Sequence, residues 1–328
     1  MQKILITREV FPEVLARLGQ HFEIDYQPVD EAMAAEALAA RLADKAGVIS
    51  MITDRIDATL LQRCPQLRAV CNAAVGTNNI DLEACTRAGV MVTNTPGVLD
   101  DTTADMAWVL LLASARRVVQ ADQWVRQGLW QGWKFKQWLG SDVHHATLGV
   151  LGMGRIGQAV ARRAAGFDMR VIYHKRTPLA SELEAECRAS WVDKATLLRE
   201  SDYLVLLLPY SAQSHHVIGA AELALMKPTA HLINIARGGI VDDAALIEAL
   251  QQRRIAGAGL DVFEGEPALD PRFFALDNVV LAPHIGSASS ATRMKMALLA
   301  AENLIAALTG KVPPNLLNPV AAAGRSSA

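Results

Sequence analysis

The run Leu148-Gly149-Val150-Leu151-Gly152-Met153-Gly154-Arg155-Ile156-Gly157 constrains this chain more than any other stretch. Leu148 to Leu151 reads as a short buried strand, and Gln158 to Ala165 continues as helix. Between them Gly152, Gly154 and Gly157 stand at G-x-G-x-x-G spacing. The first glycine permits the tight turn, the second lets backbone approach a pyrophosphate, and the third lets helix pack on strand. The helix opening at Arg155 and Ile156 then presents unpaired N–H groups and the positive end of its dipole. Glycine-rich turns are common by themselves. Here a strand precedes, a helix follows, and a second apolar strand from Met169 to Tyr173 closes a βαβ unit, which predicts a dinucleotide site.

Before this unit the chain alternates strand and helix patterns. Lys3–Ile6, Phe22–Tyr26, Gly47–Met51, Ala69–Cys71 and Met91–Thr93 read as strands, with helices at Asp30–Ala43 and Asp81–Ala88. The alternation predicts a parallel sheet covered on both faces. No glycine fingerprint occurs there, so this part reads as a substrate domain. One of its loops, Asn72 to Asp81, follows a strand directly, and backbone N–H groups at such a position suit a small carboxylate. An ordinary βα turn with a helix cap explains the same residues.

A long apolar helix, Asp100–Ala115, crosses to the second domain with acids at its start and Arg116-Arg117 at its end, an order that suits the helix dipole. Trp124, Trp130, Trp133, Phe135 and Trp138 follow with little helical periodicity, four of the chain's six tryptophans. Aromatics gathered in an irregular arm suggest a subunit interface, with core packing as the alternative. Further strands are expected at Tyr203–Leu208, His231–Ile235, Ala256–Leu260 and Val279–Leu281, with a helix at Asp243–Gln252. Helix Ala288–Leu308 then returns the chain to the first domain, and residues 321–328 read as a frayed tail. The expected fold is α/β, with two Rossmann-like doubly wound parallel-sheet domains. Residues 1–99 with 288–328 form the substrate-binding domain, and 100–287 the dinucleotide-binding domain, its arm at about 119–146.

A net charge of −2 argues against a general nucleic-acid or membrane-surface role. The four cysteines, Cys64, Cys71, Cys85 and Cys187, show no close C-x-x-C pair and no metal spacing, so no metal is expected. The chain opens on a strand pattern instead of a signal peptide, and a cytoplasmic location with reduced thiols is the expectation.

Beyond the second strand of the βαβ unit an NAD-type site places an acid for the ribose hydroxyl. This chain has His174-Lys175-Arg176 there and no acid before Glu182. Two cations in place of an acid suit a 2′-phosphate, which favours NADPH, with NADH usable. Three polar clusters then follow strand ends: Asn234 to Gly239, Gly259 to Pro267, and Ala282 to Ser287. They bring an arginine, a carboxylate and a histidine to the crevice of a doubly wound sheet. Such a set reduces a carbonyl: the arginine polarises it and binds an adjoining carboxylate, the histidine supplies a proton, and a glutamate orients the histidine.

These ordered motifs, Gly149–Gly157, Asn234–Gly239, Gly259–Pro267 and Pro283–Gly286, resemble those of the D-isomer-specific 2-hydroxyacid dehydrogenases over nearly the whole chain. Val75-Gly76, the stretch from Asp142 to Gly149 and His284 to Ala288 look most like the bacterial glyoxylate/hydroxypyruvate reductases, also described as 2-ketogluconate reductases. The resemblance implies Arg237, Glu266 and His284 as catalytic residues and the Val75–Gly76 backbone as the holder of the substrate carboxylate, with Met51 nearby in the substrate site. It implies cofactor contacts from the glycine loop, from His174, Lys175 and Arg176, and from Thr103, Leu208, Pro209, Ile235, Ala236, Asp261 and Gly286. A homodimer is implied as well. An NAD-dependent D-3-phosphoglycerate dehydrogenase stays open as an alternative, though it calls for the acid missing here. A non-catalytic, cofactor-sensing interaction protein on the same fold stays open too. The loop Asn72 to Asn79 lacks the Ser and Tyr common in this family, which leaves the choice of 2-oxo acid open.

Overall fold

The computed structural model describes residues 1–319 and Ala321. The chain divides into two compact units, Met1–Leu99 with the segment from Ser289 onward, and Asp100–Ala288. The returning helix begins at Ser290, and Ser289 caps it by accepting from Thr292 N at 3.2 Å.

In the first unit the strands are β1 (Gln2–Ile6), β2 (Phe22–Tyr26), β3 (Gly47–Ser50), β4 (Ala69–Asn72) and β5 (Met91–Thr93). They form one parallel sheet in the order β2-β1-β3-β4-β5, with a topological switch between β1 and β3. Side chains alternate between two cores. Ile4, Ile6, Ile49 and Cys71 pack on helix Ser290–Leu308 through Ala297, Ala300, Ala301 and Leu304. Leu5, Val48, Val70 and Val92 face Leu38, Leu42, Leu60 and Cys85 on the other side. Each large aliphatic buried in this way contributes roughly 1.5–3 kcal/mol, and a one-residue slip would exchange the two faces. The alanine-rich helix begins at Ala35, five residues after its expected start, since Asp30 to Ala34 lie outside the helix. Asp81 caps Leu82–Arg87 by accepting from Ala84 N at 2.8 Å.

The second unit contains β6 (Thr147–Leu151), β7 (Arg170–His174), β8 (Ala189–Trp191), β9 (Tyr203–Leu206), β10 (His231–Asn234), β11 (Gly257–Leu260) and β12 (Val279–Leu281). All run parallel in the order β12-β11-β10-β9-β6-β7-β8. The chain winds outward from β6 to β8, returns to β9 and winds the other way, so the switch point lies between β6 and β9. Short β8 carries no apolar signature of its own and escapes the sequence reading; its pairing with β7 defines it. Helix Asp100–Arg116 packs against the glycine-loop helix Arg155–Arg163, Trp108 Nε1 donating to Val160 O at 3.1 Å.

The arm is not irregular throughout. Val118–Arg126 is helical, and the segment from Gln127 to Ala146 lies outside helices and strands. Trp138 folds back within its own chain, edge-on to Trp124 at 5.9 Å and beneath Arg117 at 5.0 Å. Of the expected tail, Ala321 is buried in the first unit's core and the remainder lies outside the described residues. Among the described residues no helix is long and apolar enough to cross a membrane. All four cysteines are free thiols and buried.

Candidate active site

The glycine loop sits at the switch point of the second sheet. Gly152 has φ of 103°, and a Cβ there would lie 2.7 Å from the backbone of Leu207 and Leu208 at the end of β9. A Cβ on Gly157 would lie 2.5 Å from Gly152 O, so helix and turn touch directly. Gly154, between them, faces open space: a Cβ there meets no atom within 4 Å. Gly154 is also the N-cap of helix Arg155–Arg163 and offers no side chain to the first-turn N–H groups. An open cradle lined by unpaired amides at a helix N-terminus fits a pyrophosphate. Arg155 is exposed beside it, and its charge acts on Asp100, whose carboxyl burial pushes above the ordinary range.

At the end of β7, His174 Nδ1 donates to Val192 O at 2.8 Å, and Trp191 Nε1 donates to Lys175 O at 3.0 Å. The unpredicted β8 therefore anchors this terminus. Lys175 is half-buried and Arg176 exposed, and among the described residues neither has an ion-pair partner. Tyr173, fully buried, donates its hydroxyl to Glu184 at 2.6 Å, which occupies the nearest acid but one.

Arg237, Glu266 and His284 come together at the carboxyl edge of β10, β11 and β12. Asn234, the last residue of β10, accepts from Ala236 N at 3.1 Å and donates to Arg237 O at 3.2 Å, which curls the chain just after the strand. Gly238 is required by close approach, because a Cβ there would overlap Phe263 O at 1.7 Å. Arg237 is half-buried; burial pushes its guanidinium below its usual pKa, and the Glu266 carboxylate opposes that. His284 Nδ1 donates to Glu266 Oε1 at 2.8 Å, with the two side chains about a quarter and a third exposed. The carboxylate accepts only, so the bond fixes the tautomer and leaves Nε2 for a substrate.

Asp261 holds this arrangement. Only 1 % exposed, it accepts from Ile285 N and Gly286 N at 2.7 Å each. Burial raises its carboxyl pKa, and the two amides pull it back. Asp243 supports the neighbouring turn by accepting from Glu264 N at 3.0 Å, a contact that sequence spacing does not signal. The remaining expected cofactor positions lie on the same unit. Ile235 and Ala236 are buried at the end of β10, Leu208 and Pro209 follow β9, and Thr103 is buried in helix Asp100–Arg116.

In the first unit, Val75 and Gly76 belong to a turn whose carbonyls are all engaged. Ala74 O accepts from Thr95 N at 2.9 Å, Val75 O from Asn94 Nδ2 at 2.8 Å, and Gly76 O from Asn72 Nδ2 at 2.9 Å. In each trans peptide the N–H points away from its C=O, so the amides of Val75, Gly76 and Thr77 point away from these bonds. Met51, after β3, is clamped by its backbone, its N–H donating to Asp54 at 2.7 Å and its carbonyl accepting from Asn79 at 3.0 Å. Asn72, Asn79 and Asn94 are the positioning residues that the sequence reading missed, and only asparagine placement around a strand-end loop signalled them.

Residues 108–286 match the model of the "D-isomer specific 2-hydroxyacid dehydrogenase, NAD binding domain". The chain belongs to the D-isomer-specific 2-hydroxyacid dehydrogenases. This member is an NAD(P)-dependent dehydrogenase. It is 49 % identical over 320 residues to the glyoxylate reductase of Thermococcus onnurineus, covering 96 % of each chain. The crystal structure of the TT0316 protein from Thermus thermophilus superposes with a TM-score of 0.89 at 42 % identity, over 96 % of this chain and 99 % of that one. The NADPH-dependent glyoxylate/hydroxypyruvate reductase of Sinorhizobium meliloti, crystallised with NADP and malonate, gives 0.86 at 34 % identity over 97 % of each chain.

Proposed function

We propose that this dehydrogenase reduces small 2-oxo acids, with glyoxylate, hydroxypyruvate and 2-ketogluconate as candidates, to D-2-hydroxy acids, with NADPH preferred over NADH. The observation that carries the reading is the 2.8 Å bond from His284 to Glu266 beside Arg237. Glyoxylate reductases among the relatives support the substrate class. The glycine loop, Thr103, Leu208, Pro209, Ile235, Ala236, Asp261 and Gly286 are the residues that hold the dinucleotide, and His174, Lys175 and Arg176 receive its 2′-phosphate. When bound, the reduced nicotinamide supplies a hydride to the carbonyl carbon.

In the first unit, the backbone of Val75 and Gly76, with Met51 on the neighbouring strand end, is a candidate for holding a small carboxylate. Arg237 pairs with the carboxylate and draws charge toward the carbonyl oxygen. His284 gives its Nε2 proton to that oxygen as it becomes a hydroxyl, and Glu266 keeps the ring in place through Nδ1. In the oxidative direction the same nitrogen takes the proton back.

The arm supports a homodimer. Trp130, Trp133 and Phe135 are 59, 79 and 78 % exposed, and aromatics exposed together within six residues are of the kind enriched at interfaces. A second copy of this chain is the occupant the reading assigns to that surface. Cofactor oxidation measured with each 2-oxo acid, with NADPH and NADH compared by kcat/KM, tests the proposal. Turnover of glyoxylate or hydroxypyruvate faster with NADPH is expected; consumption of neither cofactor with any 2-oxo acid would overturn it.

A further inference from the structure

We infer that His215, His216 and Glu264 form a binding site for a divalent transition-metal ion of the zinc class. One ligand atom from each lies within 4.8 Å of the others. His216 Nε2 stands 3.3 Å from both carboxylate oxygens of Glu264. Two ligands about 2.0–2.2 Å from a tetrahedral zinc stand roughly 3.3–3.5 Å apart, so this hydrogen-bonded pair already stands at a spacing that an ion between the two groups can keep. The imidazole–carboxylate hydrogen bond between His284 and Glu266 is much shorter, at 2.8 Å.

The backbone is shaped to gather these groups. On extended chain, successive side chains point to opposite faces. His216 has φ of 50°, in the left-handed region, which puts its ring on the same side as that of His215; the rings stack with centroids 3.9 Å apart, and an ion shared by both requires one ring to turn until both ring planes pass through it. This turn is held from outside, since His216 N donates to Gly239 O at 2.7 Å. Gly239 itself has φ of 75°, and a Cβ there would lie 3.0 Å from the Tyr210 ring and 3.4 Å from His215 Nδ1. Its bareness lets both side chains settle on the turn. Glu264 is brought opposite by its backbone N–H, which donates to Asp243 at 3.0 Å.

Histidines that ligate a metal usually have their other ring nitrogen engaged, which orients the ring. Here the Tyr210 hydroxyl lies 3.2 Å from His215 Nδ1 and so orients that ring. Two imidazoles and a carboxylate select zinc, nickel or copper over magnesium and calcium, which take oxygen ligands. The sequence expectation of no metal rested on cysteine spacing, and the cysteines are buried and form no part of this cluster. An ion here ties the loop after β9 to the turn that carries Glu266, two residues beyond Glu264.

Zinc chloride titrated into the full-length protein, followed by calorimetry and by the thermal midpoint, tests the site. One ion per chain is expected, with a midpoint that rises with zinc concentration. His216→Asn, which tolerates the left-handed backbone, and Glu264→Gln should each weaken zinc binding about tenfold or more. His284→Ala and the double replacement of His144 and His145 by Gln should bind zinc as the parent does, and magnesium should not bind. Circular dichroism of the zinc-free variants checks their fold, and His215→Gln replaces either that fails. Zinc isotherms unchanged in the properly folded ligand variants, zinc binding lost in His284→Ala, or magnesium binding as tight as zinc would each overturn the assignment.

Discussion

His284 adopts φ of 55°, a conformation uncommon for a residue with a side chain, and it is kept there by the two amides that follow it donating to Asp261. The strain aims the ring at Glu266 and leaves Nε2 outward. Replacing His284 by Ala should therefore lower kcat by roughly 10²–10⁴-fold, with NADPH affinity, measured by fluorescence titration, retained. Arg176 is exposed and without an ion-pair partner among the described residues. Arg176→Ala should raise KM for NADPH about tenfold, the loss of one charge-assisted hydrogen bond, and leave NADH nearly unchanged. An equal loss with both cofactors would remove the phosphate assignment. His231, far from this chemistry, is 5 % exposed, lies 2.8 Å from Ser114 and stacks on Tyr203. Burial lowers its pKa from 6.5 to about 4. On acidification the unfolded chain takes up this proton first, so the stability present above pH 6.5 is lost progressively down to about pH 4. The loss attributable to His231 is roughly 3 kcal/mol, and denaturant titrations of His231→Gln against the parent at neutral and acidic pH should recover it.

At the scale of elements, the start of the helix Asp243–Gln251 shows two adjacent acids with different tasks. Asp242 caps the helix through Ala245 N at 3.1 Å, while Asp243, in its first turn, reaches Glu264 N. Burial raises the Asp243 carboxyl from 3.8 to about 6. The sign is opposite to that of His231. The folded protein binds this proton more tightly than the unfolded chain, so stability falls as pH rises from about 4 to about 6. The two groups act against each other across one window, and the parent's pH profile conceals both. Asp243→Asn keeps an acceptor for Glu264 N and removes the buried charge. It should stabilise the protein at neutral pH by about 1–2 kcal/mol, read as a shift of denaturation midpoint at constant slope. A variant less stable than the parent at neutral pH would show that the charged form is needed to hold the turn.

For the whole molecule, the exposed aromatic arm is the feature a single chain does not account for. Its helix, Val118–Arg126, has no buried residue, and the exposed rings of Trp133 and Phe135 meet edge to face with centroids 6.1 Å apart. Trp138 Nε1 is buried without a hydrogen-bond partner among the described residues. Joint replacement of Trp133 and Phe135 by Ser should convert the sedimenting species from dimer to monomer, with the far-ultraviolet spectrum unchanged. A parent that sediments as an active monomer would refute the dimer.

The sequence by itself determined the glycine loop, the alternating cores and the residues at the strand ends. A G-x-G-x-x-G turn between strand and helix has few other uses, and a run such as Lys3–Ile6 can bury both faces only inside a sheet. Arg237, Glu266 and His284 were legible because each stands in a polar cluster that follows a strand, in motifs that resemble those of the family. Tertiary structure alone decided the rest. Strand β8 has no periodicity to read and exists through its pairing with β7. The contact of Asn94 with the carbonyl of Val75 depends on a partner distant along the chain. His216 and Glu264 stand 48 residues apart and meet only because β9, β10 and β11 lie side by side. Local pattern specifies what a segment is; which side chains share a space depends on strand order, and that is a property of the folded chain.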